Sequence, residues 1–127
     1  MYHMYHYWYA IGMKTPILNV YFYSTELGQE PVRQWLKQLP LSDKRVIGED
    51  IKTVQFGWPL GMPLVRHIGD GVWEVRSKLR NAIARVLFVM QGNGMVLIHG
   101  FIKKDQKIPK ADLDLVRDRV QLLRSRS

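Results

Sequence analysis

Five cationic side chains define the chemistry this sequence could perform. Between Val72 and Lys78, the residues Glu74, Arg76 and Lys78 alternate with Trp73, Val75 and Ser77. Further on, Arg85, Leu87 and Val89 alternate with Val86, Phe88 and Met90, and a polar connection then carries Lys103, Lys104 and Lys107. Successive side chains of a pleated strand point to opposite faces. Arg76 and Arg85 are therefore expected on the open face of a sheet whose apolar face packs on helices, with the three lysines brought beside them. A guanidinium keeps its charge and donates two parallel hydrogen bonds to a phosphate. A lysine becomes a proton carrier when crowding by like charges lowers its pKa. Phosphate binding with proton transfer is the chemistry these residues suit, and spacing does not choose among Lys103, Lys104 and Lys107. The blander expectation is an exposed pair between Glu74 and Arg76 or Arg85, worth about 0–1 kcal/mol.

The distribution of charge supports an anionic partner. The 127 residues carry 19 Lys+Arg and 11 Asp+Glu, a net charge of +8. Residues 64–110 hold nine basic and three acidic side chains, whereas the flanking segments 1–63 and 111–127 each carry an excess of one. Charge concentrated in this way is the footprint expected of a nucleic-acid binder. With 46% hydrophobic and 24% charged residues, disorder and coiled coils are excluded and a single packed domain is expected. There is no Cys, hence no disulfide, thiolate metal site or thiol nucleophile, which fits a reducing cytoplasm. No apolar run approaches the roughly 18 residues that would span a bilayer, and no charged n-region followed by an apolar h-region opens the chain. A cytoplasmic protein with no membrane partner is expected.

The elements that must position these cations follow from the local pattern. Residues 1–12 contain no charged side chain but four of the six Tyr, and are expected to be a disordered or non-native extension. The domain proper is expected over 13–127. His3 and His6 make too poor a ligand set for a metal, and no metal or cofactor is expected. Residues 17–23, rich in β-branched and aromatic types, read as a strand. Glu30-Pro31 opens a helix with Val32, Trp35, Leu36 and Leu39 on one face, ending before Pro40. Ser42 is the expected N-cap of a second helix whose inner face is Val46, Ile47, Ile51 and Val54, ended by Gly57 and Pro59. The two helices should form a hairpin. Strands are expected over 64–68, 72–78, 82–90 and 95–102, joined by short turns into an antiparallel meander. Pro109 starts a last helix with Leu113, Val116, Val120 and Leu123 inward. Gly92 and Gly94 are turn glycines, since no helix follows them to make a phosphate cradle. Trp35, Trp58 and Trp73 read as core or edge aromatics.

Three segments together resemble a known family. Gly71-Val72-Trp73-Glu74-Val75-Arg76, Ala84-Arg85-Val86-Leu87-Phe88 and Leu97-Ile98-His99-Gly100-Phe101-Ile102-Lys103-Lys104-Asp105-Gln106-Lys107-Ile108-Pro109 resemble, in order and spacing, the phage-derived, HigB-like branch of the RelE/ParE toxin superfamily. The likeness extends from about Val20 to Arg119. It implies an α+β fold in which a two-helix hairpin and a C-terminal helix pack on a small twisted antiparallel sheet. It also implies a type II toxin that cuts mRNA on the translating ribosome, and an antitoxin partner from the adjacent gene, often a helix-turn-helix protein. The branch commonly carries Tyr just before the arginine of the third strand; here Ile83 and Ala84 stand there, so any aromatic role falls to another residue.

On that reading the reaction is a metal-independent RNA cleavage, in which a 2′-OH attacks the adjacent phosphorus. It needs a base, an acid and positive charge at the transition state. Arg76 and Arg85 are assigned to the phosphate, and Lys103, Lys104 or Lys107 to proton transfer. Lys78, Arg80, Arg66 and His99 are the further RNA-contacting candidates. His99 as a general base, alone or paired with His67, is the weaker expectation; a lone strand histidine is more often structural. Two alternatives use the same residues without catalysis: a ParE-like inhibitor of DNA gyrase, and a basic module that only binds nucleic acid. The fold does not separate these classes.

Overall fold

A computed structural model describes residues 16–105 and 107–126. The expectations for residues 1–12, for a fold beginning at Met13 and for His3 and His6 lie outside the described residues.

The first strand, β1 (Asn19–Phe22), alternates half-buried and buried residues. Helix α1 (Pro31–Lys37) starts at the proline, whose fixed φ suits the first helical position. Helix α2 (Leu41–Gly57) begins one residue before Ser42, with Pro40 in the flanking position and its carbonyl accepting the Lys44 N–H at 3.0 Å. Ser42 is thus inside the first turn rather than its cap, and no side chain caps this end. Ile47, Ile51 and Val54 form the buried stripe, while Val46, one position off that three- and four-residue spacing, remains exposed.

The meander consists of β2 (Val65–Gly69), β3 (Val72–Lys78), β4 (Ile83–Gln91) and β5 (Gly94–Lys103). Its antiparallel pairings are those the turn signals predict. At the β2–β3 turn Asp70 and Gly71 both take positive φ, 54° and 76°, the left-handed conformation that tight hairpins require. The sheet order is β1-β5-β4-β3-β2, with β1 parallel to β5. The sheet is therefore mixed. Parallel pairing needs a long crossover, and the helices together with the meander supply it.

Both faces of the sheet are covered. On one, Val32 of α1 and Ile47, Ile51 and Val54 of α2 pack against Val20, Phe22, Val75, Val86, Phe88 and Leu97. Gly100 lets the Trp35 ring of α1 lie against β5, since a Cβ there would stand 2.4 Å from the ring. On the other face, Leu87, Val89, Val96 and Ile98 pack against Val116, Val120 and Leu123 of helix α3 (Lys110–Ser125). The face expected to be open is closed over much of its area, because its own apolar residues require a partner.

A bulge positions α3. Between Leu87 and Phe88 the β4–β5 register skips Ile98, so Leu87 faces His99 and Phe88 faces Leu97. The extra residue gives α3 two polar anchors on consecutive positions. His99 Nε2 lies 2.7 Å from the Asp112 carboxylate, and Arg119 donates to the Ile98 carbonyl at 2.8 Å. Burial lowers the Arg119 pKa, an effect that nearby Tyr23 opposes.

Candidate functional site

The arginines of three adjacent strands converge on one buried carboxylate. Arg66 of β2 faces Glu74 of β3, and Arg76 of β3 faces Arg85 of β4. Glu74 is fully buried. Its Oε1 lies 3.2 Å from Arg66 Nε and 3.3 Å from Arg76 Nη1, and its Oε2 lies 3.4 Å from Arg85 Nη1. Burying an isolated carboxylate is costly; three guanidiniums make it tenable. Three guanidiniums share the one carboxylate of Glu74, so the side of the cluster that Arg66 reaches is cationic toward an approaching anion.

The three arginines differ in depth. The Arg85 side chain is 0% exposed, that of Arg76 9% and that of Arg66 30%. The expectation of Arg85 on an open face is corrected: it is enclosed, since Arg85 Nη2 donates to the Asp105 carbonyl and thereby draws the connection after β5 over itself. The expected exposed ion pair is likewise a buried network. Arg66 forms its accessible side, with Arg76 largely buried behind it.

The lysines lie on the connection that Arg85 anchors. Lys103 ends β5 opposite Ile83, and Lys104 follows; both are exposed. Lys107 joins Arg66, His67, Ile68, Ile108 and Leu113 around a groove of about 340 Å³. Lys78 and Arg80 are exposed at the end of β3 and in the turn beyond. His99 takes a different place, held by Asp112 and stacked on Phe101 at 5.5 Å. His67, weighed only as a partner for His99, proves to be an exposed ring against Trp73, with centroids 4.4 Å apart on the edge strand beside the groove. Trp73 in turn meets Trp58 edge-on at 5.0 Å.

Sequence reasoning underrated Glu74. The signal was present: a carboxylate two residues from Arg76, on the strand face toward which Arg85 also points. What it lacked was burial, which turns a weak surface pair into an organising centre. Among the described residues, no group of three or more His, Asp or Glu side chains could hold a metal ion, and no helix is long and apolar enough to cross a membrane.

A helix pair on one face of a five-stranded mixed sheet and a C-terminal helix on the other define a RelE-like α+β protein. The family model described as Phage derived protein Gp49-like (DUF891) matches residues 34–121, more than half of the chain. The chain belongs to this family, which is linked to RelE-type, toxin-like proteins. No curated protein matches it.

Proposed function

We propose that the protein is the toxin of a type II toxin-antitoxin system, of the HigB-like kind, and cleaves mRNA on the translating ribosome in the cytoplasm. The observation that carries this reading is the convergence of three guanidiniums on Glu74, beside a connection bearing three exposed lysines. Arg66, on the accessible side, and Arg76 behind it bind the scissile phosphate and stabilise the charge that grows as the 2′-OH attacks. Arg85 holds Glu74 and the lysine connection in place. A lysine of this connection, Lys103, Lys104 or Lys107, moves the protons. No metal is needed for this reaction. The ribosome supplies the bent mRNA geometry, so naked RNA is a poor substrate. A helix-turn-helix antitoxin from the adjacent gene neutralises the toxin by covering the cationic side.

Induction in cells, followed by mapping of transcript 5′ ends, tests the reading. New ends inside translated regions are expected. They should vanish when translation is blocked and in Arg76→Ala. Growth arrest with intact mRNA and broken chromosomal DNA would instead identify a gyrase inhibitor. RNA binding without arrest would leave only a binding module.

A further inference from the structure

On the sheet face opposite Glu74, a second cavity of about 340 Å³ opens between α1, α2 and the β1–β5 pair. Val20, Phe22, Leu36, Ile51 and Leu97 make it apolar, and Arg33, Lys37 and Lys44 stand around it. Arg33 is paired with Glu30 at 3.2 Å. Among the described residues neither Lys37 nor Lys44 has a carboxylate partner, so two ammonium charges flank an apolar hollow. Gln55 also lines the cavity and is fully buried. Its Nε2 donates to the Leu18 carbonyl at 3.2 Å, while among the described residues its Oε1 has no hydrogen-bond partner. A buried acceptor without a donor is rare in folded proteins and calls for one.

We propose that this cavity binds a small amphipathic anion. Its carboxylate or phosphate lies between Lys37 and Lys44, its apolar body fills the hollow, and a hydroxyl or N–H donates to Gln55 Oε1. The volume sits at the lower end of the range for small-ligand sites, about 300–1,000 Å³. A partner helix, about 10–12 Å across with its side chains, is too wide for it. Gly48 forms part of the wall, and a Cβ added there meets nothing within 4 Å. None of these residues belongs to the Glu74 cluster, so the site is independent of RNA cleavage.

Calorimetric titration of the full chain with ω-hydroxydecanoate, decanoate and decanediol tests the proposal. Saturable binding of one ω-hydroxydecanoate per chain is expected, with decanediol about tenfold weaker because it lacks the charge. The double variant Lys37→Gln/Lys44→Gln should bind the acid about tenfold more weakly at an unchanged melting temperature. Gln55→Met should abolish the preference for the hydroxylated acid over decanoate. Gly48→Leu is expected to block binding while its melting temperature stays level or rises, because the side chain enters space already open and helix propensity improves. Binding that does not saturate, equal affinity for acid and diol, or an acid affinity untouched by the lysine substitutions would overturn the proposal. So would a dimer that the double variant dissolves without any acid binding, since a second copy would then be the occupant.

Discussion

Arg76 and Arg85 lie directly opposite one another in the β3–β4 ladder, and both guanidiniums reach the carboxylate of Glu74, at 3.3 and 3.4 Å. Like charges in that relationship normally destabilise a sheet. Here the carboxylate between them converts the repulsion into a shared anchor, and Arg66 joins from the edge strand at 3.2 Å.

Neutralising that anchor should therefore be costly. Glu74→Gln is expected to lower stability by about 3–5 kcal/mol, as removal of one partner from a buried ion pair does. Urea denaturation measures it. Added sulfate should restore part of the loss, since an anion that binds only the folded cluster stabilises it by mass action. A variant with the wild-type midpoint would contradict the network.

The arginines should separate by depth. Arg85→Ala removes a fully buried partner of Glu74 and is expected to cost about 3–5 kcal/mol. Arg66→Ala, at a side chain 30% exposed, should stay within about 1 kcal/mol of wild type. The same Arg66 variant should bind RNA more weakly and reduce the slope of log affinity against log salt by about one. Parallel denaturation curves and filter-binding titrations read the two effects.

The lysine connection tests the chemistry apart from the fold. Lys103, Lys104 and Lys107 are exposed, so each change to Gln should leave stability within about 0.5 kcal/mol. At the proton-carrying position, transcript cleavage on induction should fall by about 100-fold or more. Quantified 5′-end mapping for the three variants identifies the carrier. Full cleavage by the triple Gln variant would exclude this connection from the reaction.

His99 should behave as a structural residue. Asp112→Ala breaks its 2.7 Å contact and is expected to cost about 1–2 kcal/mol. Amide exchange should speed up in the first turn of α3, with transcript cleavage retained. Loss of cleavage by a fully folded His99→Ala protein would reassign it to the chemistry.

Gly100 should reject any side chain. A Cβ would come within 2.4 Å of Trp35, so Gly100→Ala forces the indole or α1 outward, at about 1–3 kcal/mol for an overpacked core. A lower melting temperature with a red-shifted tryptophan emission would register it.

The sequence by itself determined the order and type of the elements. Period-two alternation, turn residues and helical stripes are local signals, and they marked β1, the four-stranded meander and three helices from neighbouring residues alone. It also placed Arg76 and Arg85 on one sheet face and concentrated the charge in residues 64–110. Only the tertiary structure decided that this face is covered. Leu87, Val89, Val96 and Ile98 drew α3 across it, and the bulge at Ile98 turned His99 toward Asp112. Burial and pairing depend on which distant segments meet, a property that alternation within one strand does not carry. For the same reason Glu74 read as one half of a weak surface pair, and became the centre of three arginines only when β2, β4 and the connection after β5 closed around it.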